Sequence, residues 1–122
     1  MALKCIDHVN VRCVDLEKSR AFYSEVLGLR DGTRPGVAMA GAWLYLGDRP
    51  VVHLQGGRVD DGEPAKGPFD HVAFEGDDVQ ATRDHLQRMN VPFRENGLPD
   101  IKLHQLVVRD PDGIKIEINF KG

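Results

Sequence analysis

The chain contains itself twice, and no other feature of the sequence limits its fold so strongly. Ile6-Asp7-His8-Val9 recurs as Phe69-Asp70-His71-Val72, with the histidines 63 positions apart (8 and 71). At the same spacing Asp15-Leu16 recurs as Asp78-Val79. In each half a short apolar run leads to an aspartate that can accept from the first turn of a helix. The first helix presents Leu16, Phe22, Tyr23 and Val26 and stops at Gly28; the second presents Val79, Leu86 and Met89 and stops near Asn90-Val91-Pro92. Strand-like runs follow at 42–55 and 103–119, each read as a hairpin around a polar, proline-bearing turn. Each half is therefore predicted as β-α-β-β-β, in modules of about residues 4–56 and 67–120 joined by the Gly/Asp/Pro-rich stretch 56–68. The expected fold class is α+β, two such modules forming a cup within a single domain, 1–122, about a pseudo-twofold axis.

The side-chain parities of the strands carry the functional signal. On the first, read from residue 5 to 13, Ile6, His8, Asn10 and Arg12 oppose Asp7, Val9, Val11 and Cys13. In the second half His71, Ala73 and Glu75 oppose Val72 and Phe74. At 51–55 His53 and Gln55 oppose Val52 and Leu54, and on the last strand Lys115, Glu117 and Asn119 oppose the isoleucines. The aliphatic parity takes a helix, and the other face carries His8, His53, His71 or Glu117. Taken singly, each of these is also accounted for as a satisfied or solvated polar side chain. Together, three imidazoles and one carboxylate at repeat-related positions are a donor set suited to Zn, Ni, Co, Mn or Fe(II).

Composition narrows the class. A net charge of −3 offers no basic surplus for nucleic acid or an anionic membrane surface. No apolar run approaches a membrane span, and the opening Met1-Ala2-Leu3-Lys4-Cys5 carries no secretory apolar region, so a cytoplasmic protein is expected. Cys5 and Cys13 share the apolar parity of Val9 and Val11 and are read as small buried hydrophobes.

Four stretches, "DHVNVRCVDLEKSRAFYSEVLGL" (7–29), "GAWLYLGDRPVVHL" (41–54), "FDHVAF" (69–74) and "RDPDGIKIEINF" (109–120), resemble the vicinal oxygen chelate superfamily. That group includes glyoxalase I, methylmalonyl-CoA epimerase, extradiol dioxygenases, fosfomycin-resistance enzymes and bleomycin-binding proteins. The resemblance implies one divalent metal per site, held by His8, His71 and Glu117, with His53 where glyoxalase I has a glutamate. It also implies that Arg12, four residues after the first ligand as in glyoxalase I, meets a substrate carboxylate.

Departures from the pattern sort the possible reactions. Extradiol dioxygenases and fosfomycin transferases carry a tyrosine ten residues before the last ligand, where this chain has Val107; the transferases also use a threonine where Asn10 stands. The leading expectation is a glyoxalase-like lyase or isomerase acting on a small oxygenated metabolite. Glu117 is its candidate base, Asn10, Arg12 and Gln105 bind the substrate, and Trp43 and Tyr45 wall the site or pack in the core. The alternatives are an Fe(II) ring-cleaving dioxygenase and a resistance protein of fosfomycin-transferase or bleomycin-binding type. In the superfamily's short members the modules of one site commonly come from different chains. A homodimer is therefore expected, with His8 and His53 of one chain sharing a metal with His71 and Glu117 of a second copy.

Overall fold

The computed structural model describes residues 1–36, 39–64 and 67–121. The chain divides into two units, Met1–Gly62 and Glu63–Gly122, and the division falls inside the linker read from the sequence. The first unit runs β1 (Val9–Arg12), α1 (Leu16–Ala21), a π turn (Phe22–Val26), β2 (Arg30–Gly32), β3 (Gly41–Leu46) and β4 (Arg49–Gln55). The second runs β5 (His71–Glu75), α2 (Val79–Arg88), β6 (Arg94–Leu98), a 3₁₀ turn (Pro99–Ile101), β7 (Leu103–Arg109) and β8 (Lys115–Lys121). Both units are thus β-α-β-β-β, as the repeat predicts. Their sheets have matching orders, β1-β4-β3-β2 and β5-β8-β7-β6.

In each unit the first strand pairs in parallel with the last, while the remaining pairings are antiparallel. The aliphatic parity forms the core: Val11, Cys13, Leu44, Val52 and Leu54 in the first unit, Leu106, Val108, Ile116 and Phe120 in the second. Helix α1 packs on β3 and β4, and Ser19, Tyr23 and Leu86 are fully buried side chains of the two helical segments. The caps match the sequence reading. Asp15 accepts from the Lys18 N–H at 3.1 Å and Asp78 from the Ala81 N–H at 2.9 Å. Each helical segment is followed by a residue at positive φ, Gly28 at 76° and Asn90 at 57°, the two residue types that tolerate the left-handed region best.

Three expectations need correction. Cys5 is exposed, and only Cys13 is buried. The register Val9↔Val52 would set Cys5 against Asp48, which lies in the β3–β4 turn, and the strand itself begins at Val9. Pro50 is also not in a turn. The tight turn is Gly47-Asp48, and Pro50 sits inside β4 next to a register shift at Leu44/Tyr45, where a missing N–H is tolerated. Finally, the first helix widens into a π turn. Ser24 Oγ donates to the Arg20 carbonyl at 2.8 Å and the Leu27 N–H reaches back to the Phe22 carbonyl at 3.2 Å, so the regular bonding of that turn is displaced. Among the described residues no helix is long and apolar enough to cross a membrane.

A polar node ties α2 to the sheet of its unit. Arg83 donates through Nε and Nη2 to the two oxygens of Glu95 at 2.6 and 3.0 Å, and His104 Nε2 lies 2.8 Å from Glu95 Oε2. The Arg83 hydrogen bonds, followed by that of His104, pull the Glu95 carboxyl from its ordinary 4.5 down to about 2. A depressed carboxyl stabilises the fold fully above its unfolded value and loses that contribution as pH falls toward the folded one. Urea midpoints of wild type and Glu95→Gln should therefore differ most at pH 7 and pH 5, the wild type being the more stable. The gap should shrink through pH 3 and close near pH 2. A gap that stays constant over this range would show that Glu95 acts by shape alone.

Candidate metal centre

In the first unit the donors are stacked rings. The His8 and His53 centroids are 3.7 Å apart with 10° between their planes, and Trp43 covers the other face of His53 at 4.2 Å and 13°. The sheet explains the arrangement. Trp43 is directly opposite His53 on the β3–β4 ladder. His8 immediately precedes β1; continuing the register Val9↔Val52 would place it against Val51, one diagonal step from His53. Burial pushes the His53 imidazole below its ordinary value, His8 acts in the same direction, and a hydrogen bond to the Pro50 backbone opposes them. His53 Nε2 is buried and has no hydrogen-bond partner among the described residues. A buried nitrogen without a partner is costly in a core and ordinary at a metal.

The second unit repeats the diagonal. His71 is opposite Lys115 on the β5–β8 ladder and Glu117 is two residues further along. His71 Nε2 lies 3.3 Å from Glu117 Oε2, while Gln105 Nε2 donates to Glu117 Oε1 at 3.0 Å. The Glu117 side chain is only 13% exposed, so its charge is largely withdrawn from water. Lys115 Nζ stands 4.0 Å from Glu117 Oε2 and 3.7 Å from Asp70 Oδ2. Val107 is opposite Glu117, the place that Trp43 holds opposite His53.

Both repeated histidines lean on the residue before them. His8 Nδ1 is 2.8 Å from Asp7 Oδ2, and His71 Nδ1 is 2.9 Å from Asp70 Oδ2. Hydrogen bonding to His8 is the largest cause that lowers the Asp7 carboxyl from its usual value; His71, then Lys115, does the same for Asp70. An ionised carboxylate only accepts, so Nδ1 carries a proton, and in the neutral form of the ring the free lone pair is the one on Nε2. In that tautomer His71 Nε2 and Glu117 Oε2 are two acceptors facing each other, an arrangement that a shared cation satisfies. Ligands about 2.1 Å from a metal on adjacent octahedral positions are about 3.0 Å apart, close to the separation seen here. The donor chemistry therefore fits a divalent ion.

The donors occur as pairs. His8 with His53 and His71 with Glu117 are each brought together inside a unit; among the described residues no three of His, Cys, Asp and Glu are gathered around one point. Asn10 donates from Nδ2 to Gln55 Oε1 at 3.4 Å, and Arg12 follows it on the exposed parity of β1. Gln105 is engaged by Glu117, and Tyr45 is turned away to the Thr33 carbonyl beneath Arg30. Sequence reasoning passed over Asp7, Asp70 and Asn119. The first two were signalled by the repeated Asp-His dipeptide. Asn119 Oδ1, buried and without a partner among the described residues, had only its parity with Glu117 as a signal.

Two β-α-β-β-β units, each with a histidine at the head of its first strand and a second donor one diagonal step away on its last, define a class of duplicated α+β proteins. A family model of the Glyoxalase/Bleomycin resistance protein/Dioxygenase superfamily matches residues 5–118, and the chain belongs to that superfamily. It is 32% identical to "Glyoxylase I 4" of Arabidopsis thaliana over 126 residues, covering 95% of this chain and 70% of the relative. It is 30% identical to YwbC of Bacillus subtilis over 120 residues, covering 93% and 95%. Among solved structures, the glyoxylase/bleomycin resistance protein/dioxygenase domain from Frankia sp. EAN1pec superposes with a TM-score of 0.82 at 22% identity, over 99% of this chain and 94% of that one.

Trp43 is the chain's single tryptophan and lies against His53. Titration with Ni²⁺ or Co²⁺ should quench its fluorescence saturably, and His53→Ala should lose most of that response. An unchanged quench in His53→Ala would remove His53 from the donor set.

Proposed function

We propose that the protein is a divalent-metal-dependent enzyme of glyoxalase-like type, a lyase or isomerase that moves a proton on a small metabolite with two neighbouring oxygens. The observation that carries this reading is the pair His71 Nε2 and Glu117 Oε2, 3.3 Å apart, with the ring's other nitrogen, Nδ1, already bonded to Asp70. The superfamily membership and the name of the Arabidopsis relative support the same class of chemistry. His8, His53, His71 and Glu117 would hold the ion, and Ni, Zn, Co, Mn and Fe(II) all suit such a set. Bound there, the ion supplies Lewis acidity to the substrate's adjacent oxygens.

The remaining roles belong to the chain. Glu117 is the carboxylate in the set and takes the substrate proton; the Gln105 amide keeps Oε1 oriented. Asn10 and Arg12, on the exposed parity of β1, meet the polar end of the substrate, and the stacked Trp43 keeps His53 in place. Val107, buried beside Glu117, offers no hydroxyl to a bound catechol, which favours proton transfer over ring cleavage.

The two units work as one functional domain, and the working assembly is a homodimer in which each site takes one donor pair from each chain. Two measurements test the reading. Glu117→Gln keeps the shape and removes the charge, so turnover should fall by about 10²- to 10⁴-fold with little change in melting temperature. The assay is metal-dependent exchange of α-protons with D₂O, followed by NMR over a panel of 2-oxo and 2-hydroxy carbonyl compounds. If no metal in the series promotes exchange, while Fe(II)-loaded protein consumes oxygen with catechols, the dioxygenase reading replaces this one. For the assembly, His8→Ala and Glu117→Ala proteins are mixed and the heterodimer isolated. Shared sites predict recovery of up to about half of the metal sites, because both lesions fall in one site. A verified heterodimer without recovery would place each site within one chain.

A further inference from the structure

We propose that Asp7 and Asp70 are positioning residues of the metal centre: each fixes the tautomer and the ring orientation of the histidine that follows it. The inference rests on the metal-binding reading above and adds to it a role that the donor set alone does not contain. Three features of the chain point the same way. The two Asp-His dipeptides are repeat-related, and each forms the same contact, Nδ1 to Oδ2, at 2.8 Å in one unit and 2.9 Å in the other. A carboxylate that only accepts leaves a neutral ring one choice of tautomer, with the Nε2 lone pair turned away from the aspartate in both cases. His53 is held differently: it has no preceding aspartate and uses the Pro50 backbone, while its buried Nε2 has no partner among the described residues. Each imidazole of the set thus has an acceptor behind it.

A fold-stabilising role does not account for these carboxylates. Their side chains are 88% and 75% exposed, and an exposed pair between adjacent residues adds little to stability. Asp70 has a second neighbour in Lys115, 3.7 Å away, so its effect must be separated from that cation. Carboxylates hydrogen-bonded behind a ligating imidazole orient the ring and raise its basicity, and their loss typically costs 10- to 100-fold in metal affinity.

The test uses the full-length protein with Ni²⁺ or Co²⁺ alone as the probe. Affinity is measured by isothermal titration calorimetry, and the melting temperature is recorded without metal. Asp7→Ala and Asp70→Ala should each weaken binding by about 10- to 100-fold at an unchanged metal-free melting temperature. Asp7→Asn and Asp70→Asn, which keep an acceptor oxygen but not the charge, should recover part of the loss. Lys115→Met should not reproduce the Asp70→Ala effect. Affinities within twofold of wild type in both alanine variants would overturn the proposal, as would an equal loss in Lys115→Met for Asp70. Wild type that binds neither ion would instead overturn the metal-binding reading itself, so the two failures are distinguishable.

Discussion

The parallel pairing of first strand with last in each unit is the constraint on which the rest of the site depends. A parallel ladder fixes which side chains become neighbours along two strands that are remote in sequence. Here it sets a histidine one diagonal step from a second donor, twice: His8 with His53 and His71 with Glu117. A slip of one residue would turn Glu117 or His53 toward the helix side and Ile116 or Val52 outward, exchanging charge for core. The hydrophobic core and the donor pairs are therefore two readings of one register, and neither can be shifted without the other.

The two pairs are chemically unequal although their backbones correspond. The first is aromatic and stacked, with Trp43 behind it; the second is a carboxylate with an imidazole, a primary amide and a lysine around it. Equivalent ladder positions thus carry Trp43 opposite His53 and Val107 opposite Glu117.

Much of this was legible in the chain because duplication makes weak signals count twice. The order of elements, both aspartate caps and the parities of His53, His71 and Glu117 follow from periodicity and from the 63-residue spacing of His8 and His71. What escaped depends on contacts that periodicity does not encode. Cys5 shares the parity of Val9, yet the partner strand has already turned at Asp48, so parity has nothing to act on. Pro50 reads as a turn former and lies in a strand because the register shift beside it needs no N–H there. Asp7 and Asp70 were read only as markers of the repeat; their bond to the next residue's ring depends on side-chain torsions, which a hydropathy pattern does not contain.

The π turn at Phe22–Val26 has a consequence for how the halves correspond. The helical segments begin on Asp15 and Asp78, 63 positions apart, and end on Gly28 and Asn90, 62 positions apart. The first half therefore spends one residue more between the same two landmarks, and the segment that spends it contains the widened turn. Widening takes up the surplus residue sideways, so both flanks keep their phase and Tyr23 stays fully buried. The surplus residue is in this way absorbed within the helical segment, before the chain re-enters the sheet. Length diverges again after the helix, where Gly28 to His53 spans 25 positions and Asn90 to Glu117 spans 27, so the modules keep corresponding donors while differing in their connections.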